Sequence, residues 1–499
     1  MGSFVGIDLG TSYSCIAYID STGRPKVVPN KDGENITPSV VAIQNINGEE
    51  VVEVGTWAYE TWGFDKDKAH ARFKKQMHDT ELQINLGSRS YTPAELSSFV
   101  LTKLIQDSKN TIGDIEEVVI SIPANFPNEA REATLRAGDL AGLKVNFIVN
   151  EPTAAALYYS FLNQEALDGT YAVYDLGGGT FDFSVIDVKN NEVTVLNSEG
   201  IQECGGDDFD KLLYDIILTK YNELSDVKLD DLDFNLTHAE KAKRSLSSKE
   251  QTLIKVGKEI IEVTRDEFNS AIKSKVIQTK VQVQKAINDC GKEISDIQQV
   301  YLVGGSTRVP LVRETVEDIF KKQPVQSVNP DEVVALGAAL YAAVKGDKTK
   351  QNEATKASIS KLQVQDISNK CFGVIIIDVL TGEYINSVLI YKGDKLPSKI
   401  KKTYSVVRDQ QDHVDIKITE SIVPEENPEF VRIVWEGRLE LSNPKEVSSG
   451  DPVDVTYSYD DNQVMQCEFK ENKSGISKKV KLDLNKFSKS NKIDDIKVI

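Results

Sequence analysis

The sequence predicts an α/β protein whose first part consists of two similar lobes and whose last part is an all-β module. Three features predict this. Over the first 345 residues, short apolar runs ending at glycine loops alternate with longer helical patterns, the alternation expected of an α/β architecture. Within that region one pattern occurs twice, as GIDLGTSYSCIAYID at 6–20 and VYDLGGGTFDFSVIDV at 173–188. Each reads as an apolar strand, an Asp, a glycine-rich turn and a second alternating strand, and such a repeated hairpin implies two lobes facing one another. The third feature is a change of character after 346–357, GDKTKQNEATKA, which is polar, rich in lysine and without apolar period.

The elements follow in order. Strands are expected at 4–9, 116–122, 145–149 and 171–175, and helices at 127–141 and 152–161. Between 370 and 470, YINSVLIY, HVDIKITES, EFVRIVWEG, PVDVTYSYD and QVMQCEFKE alternate and are separated by Gly, Pro, Asn and Asp, which makes an all-β module. The final KFSKSNKIDDIKVI is weakly patterned and reads as a tail or a last edge element. The expected domains are therefore 1–345, a linker at 346–368, the β-module at 369–480 and a tail at 481–499.

Composition excludes several classes of function. In 499 residues, 59 basic and 77 acidic side chains leave a net charge of −18, which argues against a broad nucleic-acid footprint. The longest apolar stretch, Cys371 to Leu380, is too short for a membrane span and contains Asp378. Five scattered cysteines without a Cys-x-x-Cys pair suggest neither a disulfide framework nor a zinc site. With a strand-like FVGIDLG from Phe4 there is no room for a secretory signal, and Gly6 stands where a myristoylation motif needs Ser or Thr. A cytoplasmic location is expected.

The chemistry is expected at the loops. Glycine turns expose consecutive backbone N–H groups to a phosphate, and Gly10-Thr11-Ser12 and Gly177-Gly178-Gly179-Thr180 are two such turns. Each follows an acid, Asp8 or Asp175, placed where magnesium bridging phosphates would sit through its waters. Either loop alone reads as a tight hairpin with a surface Asp; the matched pair reads as a clamp. A third loop, LVGGSTRVP at 302–310, lets Gly304, Gly305 and Ser306 offer N–H groups at a helix start, and Arg308 could lie against a purine. In AEKAKRSLSS, Glu240, Lys243, Arg244 and Ser247 share one helical face. That face reads either as solvated or as a pocket in which Glu and Ser bond ribose hydroxyls while Lys and Arg flank the base.

These strings, with NITPSVVA, VVISIPANF, NEPTAAALYY, CGGDDFD, VYLVGGSTRVP and NPDEVVALGAALYAA, closely resemble the nucleotide-binding domain of the seventy-kilodalton heat-shock chaperones, over about 340 residues in family order. That family belongs to the actin, sugar-kinase and chaperone superfamily. The resemblance implies an actin-like ATPase domain using ATP or ADP with Mg2+ and K+. It implies hydrated magnesium at Asp8 and Asp175, with Thr11, Ser12, Tyr13 and Thr180 around the phosphates. Glu151 would orient the attacking water, and Asp182 would be the second carboxylate beside it and the alkali-ion sites. Gly177, Gly178, Gly179, Gly205 and Gly206 would belong to the nucleotide site. The adenosine pocket would combine Glu240, Lys243, Arg244 and Ser247 with Gly304, Gly305, Ser306, Arg308 and Asp331. Pro123 and Arg131 resemble the family's interdomain relay. Lys74 in ARFKKQMHD is the candidate for the lysine beside the γ-phosphate, Lys75 the alternative, and a solvated pair the third reading.

LQVQDI at 362–367 resembles the interdomain linker, with Gln363 and Gln365 replacing two apolar positions. Each replacement would cost about 1–2 kcal/mol of docking. The β-module resembles the family's peptide-binding sandwich, with Tyr404 and Val414 on the cleft side and Asn386 and Val407 in place of the Met and Ala that arch over the peptide. A helical lid is expected to be missing, so bound peptide would leave faster. Phe147 stands where the family has an arginine of the J-domain docking surface. The expected function is an ATP-dependent chaperone for unfolded polypeptide, with a J-domain cochaperone and a nucleotide exchange factor as partners and neither nucleic acid nor membrane. Two other readings remain: an ATP-binding regulatory or scaffold homologue with little hydrolysis, and a sugar or acetate kinase, which would not explain the β-module.

Overall fold

The hairpin pattern that occurs twice in the sequence seeds two sheets of the same topology. In the first, the strand order is Val145–Asn150, Ile115–Ile122, Ser3–Asp8, Tyr13–Ile19, Pro25–Val27. In the second it runs through Val325–Gln326, Ile297–Val303, Gly169–Leu176, Phe181–Lys189, Glu192–Ile201. Each hairpin is antiparallel, and its first strand also pairs in parallel with a later strand. These strands are apolar along nearly their whole length because helices cover them. The structure, a computed structural model, describes residues 2–163, 168–189, 192–326, 329–368, 370–378, 381–460, 464–482 and 497–498.

The helices occupy equivalent places in the two repeats. Asn128–Leu140 joins the second and third parallel strands of the first sheet, and Pro310–Phe320 those of the second. Glu151–Asn163 and Val333–Lys345 then follow the last parallel strands and pack on one another. Their approach is close: a Cβ on Gly337 would lie 1.8 Å from the Ala154 carbonyl oxygen, so only glycine fits there. All six elements expected from the sequence are present within a few residues of the expected ends. The helix Pro93–Ile112 starts at a capping box in which Thr92 accepts from the Glu95 N–H and the Glu95 carboxylate accepts from the Thr92 N–H.

The chain divides into a larger unit up to Val364, to which the last described strand also belongs, and a smaller unit beginning at Gln365. Part of 346–357, read from sequence as a patternless connector, is helical at Glu353–Ile359, where Asn352 caps the Thr355 N–H. Gln351 ahead of it is buried and donates to the Ala343 carbonyl, which ties the stretch to the preceding helix. Short polar helices of this kind are set by caps rather than by apolar period. The tail expected at 481–499 lies mostly outside the described residues; Lys497–Val498 is a strand paired in parallel with Glu49–Val54.

The smaller unit is a β-sandwich. One four-stranded antiparallel sheet has the order Tyr384–Ile390, Cys371–Ile377, His413–Ser421, Arg432–Glu440, and the other Ser398–Ser405, Pro452–Tyr459, Met465–Glu471, Ser477–Lys481. Alternate residues of both, among them Phe372, Ile416, Ile418, Tyr457, Cys467 and Phe469, meet in one core. Tyr457 Oη crosses that core to donate to the Gly373 carbonyl at 2.7 Å. The linker residues Gln363–Ile367 form a strand, and the Gln365 side chain donates to the Leu396 carbonyl at 2.6 Å. Of the two glutamines that replace apolar residues, this one makes a polar contact inside the smaller unit.

Candidate functional site

In the first hairpin Ser3–Asp8 ends at Asp8 and Tyr13–Ile19 begins at Tyr13, so Gly10-Thr11-Ser12 is the connection. In the second, Gly177 to Thr180 connects Gly169–Leu176 with Phe181–Lys189. The two turns touch. A Cβ on Gly178 would lie 2.0 Å from Ser12 Oγ, and one on Gly179 2.9 Å from Thr11 Cγ2. A side chain at either glycine would collide with that of Ser12 or of Thr11 and Lys75. The Gly206 N–H donates to the Gly177 carbonyl at 3.0 Å and Ser306 Oγ donates to it at 2.7 Å, so two further loops brace the same turn.

These turns border a cavity of about 330 Å³. Asp8, Lys74, Pro123, Glu151 and Asp175 line it, together with both glycine turns and Tyr13. On its other side stand Glu240, Lys243, Arg244 and Ser247, and Gly304, Gly305, Ser306, Arg308 and Asp331. Residues drawn from many separate stretches of sequence therefore meet at one place.

The electrostatics of the site follow from burying acids together. Asp8 accepts from Ser121 Oγ at 2.7 Å, yet burial and the neighbouring Glu151 push its carboxyl up to about 7 against the pull of Lys74. Asp175 is pushed well above the usual range by burial, Glu151 and Asp182. Asp182 faces Asp175 across the hairpin and is raised to about 7 by burial and Glu151, while Lys74 and the Asn125 amide oppose the shift. Lys74 is 4% exposed, and its Nζ donates to Glu151 Oε1 at 2.8 Å. It stands on the Phe73–Gln76 turn. Lys75 points elsewhere: a Cβ on Gly179 would lie 2.2 Å from its Cε, so it covers the second glycine turn.

Opposite the carboxylates, Glu240 accepts from Tyr13 Oη at 2.9 Å, from Tyr59 Oη and from Arg244 at 2.6 Å. Burial raises its carboxyl, but Lys243 and Arg244 outweigh that and hold it below its usual value. Lys243 is paired with Asp210 at 2.9 Å, and the Arg244 guanidinium lies 5.1 Å from the Tyr13 ring centre. Ser247 Oγ donates to the Lys243 carbonyl at 3.0 Å. The four-residue helix face is therefore a cavity wall, which answers one of the two readings of its spacing. Arg308 is anchored by Asp331 at 3.0 Å and Asn329 at 3.3 Å.

The family model described as Hsp70 protein matches residues 4–498. The chain belongs to the Hsp70 family. The Hsp70 family is one of chaperones whose members are ATPases that use ATP and ADP with magnesium. Among the described residues no three His, Cys, Asp or Glu side chains converge to ligate a metal directly. The half-buried carboxyl groups of Asp8 and Asp175, beside Lys74 on the cavity wall, instead suit a hydrated divalent ion, whose charge would offset their mutual repulsion.

Three of the residues expected at the Hsp70 nucleotide site, and Arg131 of the expected relay, lie just outside the cavity wall. Gly205 and Gly206 back the second glycine turn, and Gly206 also sits between Ser306 and Lys243. Asp182 is buried behind Asp175. Arg131 is buried and donates to the carbonyls of Phe126 at 3.1 Å and Ala124 at 3.0 Å, fixing the loop that follows Pro123. Sequence reasoning missed Asp207, Asp210, Tyr59 and Arg72. Asp207 lines the cavity, pairs with Arg72 Nε at 2.7 Å and accepts from Ser12 Oγ at 3.3 Å. Both acids stand in CGGDDFD, where the available signal was the start of a helix facing a glycine loop, with Asp207 in its first turn and Asp210 three residues further on. Tyr59 and Arg72 carry no local signal, since their partners are distant in sequence.

In the sandwich, Tyr404 Oη donates to Ser387 Oγ at 2.8 Å and Val414 packs at the core margin. Val407 is 45% exposed. Asn386 is 2% exposed; its Nδ2 donates to the Glu425 carbonyl at 2.7 Å and its Oδ1 accepts from Thr419 Oγ1 at 2.6 Å. Its side chain holds the loop after His413–Ser421 in place.

Proposed function

We propose that this Hsp70-family chain binds ATP with magnesium in the cavity between the glycine turns, hydrolyses it, and couples the nucleotide state to binding of extended polypeptide on the β-sandwich. One observation carries the reading: two matched glycine turns in contact, each preceded by a half-buried carboxyl group at the end of a strand, beside a lysine paired with a third acid. A cavity with backbone N–H groups and Lys74 on one side and Arg244 and Arg308 on the other suits a ligand with phosphates at one end and an aromatic base at the other.

The roles follow from position. Gly10 to Tyr13 and Gly177 to Thr180 hold the phosphates. Lys74 stabilises charge on the γ-phosphate oxygens as the bond to the leaving ADP oxygen breaks. Glu151 orients the attacking water, and Asp182, with its carboxyl near 7, is poised to take a proton at neutral pH and to adjoin a potassium ion. Asp8 and Asp175 would hold a hydrated magnesium ion, which would supply positive charge to offset that of the phosphate oxygens. Glu240, Lys243, Arg244, Arg308 and Asp331 hold the adenosine, and Pro123 with Arg131 transmits the nucleotide state. The sandwich core and the Tyr404, Val407 and Val414 side chains support a peptide cleft, with a J-domain cochaperone and an exchange factor as further partners. The five unpaired cysteines favour a reducing compartment such as the cytoplasm. Titration calorimetry with Mg–ATP on the full chain, followed by turnover with and without an extended apolar peptide, tests the reading. Absence of nucleotide affinity would overturn it, and turnover indifferent to peptide would remove the coupling.

A further inference from the structure

The sheet that leads to Lys74 has an edge that another part of the chain occupies. Its order is Lys497–Val498, Glu49–Val54, Val40–Ile46, Ala69–Ala71. Ala69–Ala71 runs through Arg72 into the turn that carries Lys74 and Lys75. At the other edge, Glu49–Val54 pairs on one side with Val40–Ile46, and on its other side its N–H and C=O groups would be open to any extended segment. Lys497–Val498 lies there in parallel, Lys497 opposite Val51 and Val498 opposite Val52. Val498 is half-buried and packs against the core that contains Val41, Ile43, Val52, Val54 and Leu101. It also meets the helix Pro93–Ile112. Backbone pairing plus one alternate apolar side chain in a pocket is how an edge strand recognises an added segment.

We propose that Glu49–Val54 is a strand-acceptor site whose occupant is Lys497–Val498 of the same chain, docked as a reversible latch. Two paired residues and one half-buried valine provide little free energy, so release and re-docking are within reach of thermal opening. While docked, the segment blocks the edge against pairing with other strands and stiffens the sheet whose far side feeds the Lys74 turn. Two variants separate its contributions: Val498→Asp removes the apolar anchor, and deletion of 497–499 removes the pairing as well.

Hydrogen exchange by mass spectrometry on the full chain reads the latch directly, independently of nucleotide binding. In both variants the amides of 49–54 should exchange about tenfold faster or more, while those of Ile115–Ile122 stay as protected as before. A synthetic peptide of residues 493–499 added to the deletion variant should restore protection, and the same peptide carrying Val498→Asp should not. Unchanged exchange in both variants overturns the proposal, as does a loss of protection spread over the whole unit, which would mean general unfolding. Protection of 49–54 that rises with protein concentration would assign the strand to a second copy and overturn the intramolecular latch.

Discussion

Lys74 Nζ lies 2.8 Å from Glu151 Oε1, 77 residues away in sequence, and both side chains are buried where Asp8, Asp175 and Asp182 also point. One ammonium therefore faces several buried or half-buried carboxyl groups. Burial first, and that imbalance of charge second, raise Asp8 and Asp182 to about 7, and both make the site welcome a further cation. Lys74→Ala is expected to lower single-turnover γ-phosphate release by about 10²- to 10³-fold, the usual loss when one preorganised charge partner is removed. Lys75→Ala, which uncovers Gly179 but leaves the Glu151 pair intact, should weaken nucleotide affinity more than it slows that step. The reverse ranking in rapid-quench experiments would shift the role to Lys75.

The raised carboxyls also predict an inverted pH dependence. An acid whose folded value exceeds its unfolded value binds more protons when folded, so its contribution to stability falls as pH rises from about 4 towards 7 and is flat above. For Asp8, raised from 3.8 to about 7, the ligand-free chain is thus penalised most at alkaline pH. Asp8→Asn cannot ionise and escapes the penalty. The midpoint of thermal unfolding should be higher for the variant than for the parent at pH 8, and the gap should shrink at pH 5. A gap that does not change with pH would mean that Asp8 is not strained by burial.

What could be read from the sequence divides along physical lines. The hairpin Asp8-to-Tyr13 and its echo Asp175-to-Phe181 were legible because a glycine turn between alternating strands is a local code. The helix face of Glu240, Lys243, Arg244 and Ser247 was legible as a face, but its partners Tyr13, Tyr59 and Asp210 arise from tertiary contacts that spacing cannot show. The helix Glu353–Ile359 was hidden because it rests on the Asn352 cap and on Gln351, a polar residue buried by its bond to Ala343. Asn386 was expected above a peptide, whereas it is used inside the sandwich by Thr419 and Glu425, which no single strand's alternation would reveal.

Asn386 accordingly should matter for stability. Asn386→Ala leaves the Thr419 hydroxyl and the Glu425 carbonyl without these partners in a buried place, at a cost of about 1–3 kcal/mol. Asn386→Met, which installs the residue that the sequence resemblance leads one to expect there, keeps the volume but neither bond, so it should be destabilised as well. Urea unfolding followed by fluorescence reports on this unit through Trp435, the single tryptophan after Gln365. A methionine variant as stable as the parent would show that volume, not the hydrogen bonds, decides this position.

The close packing of Glu151–Asn163 on Val333–Lys345 yields the last prediction. A Cβ on Gly337 would fall 1.8 Å from the Ala154 carbonyl oxygen, and one on Gly6 2.1 Å from the Ala339 nitrogen of the same helix. The obstructing atoms are backbone, so no rotamer change relieves them and the helices must separate. Overpacking of this kind costs about 1–3 kcal/mol or more. Separation would also displace Glu151, the first residue of one helix, and Val334, a cavity-lining residue of the other. Gly337→Ala should therefore lower the unfolding midpoint and weaken Mg–ATP binding together. If the midpoint falls while calorimetric affinity is unchanged, the helix pair stabilises the unit without setting the geometry of the site.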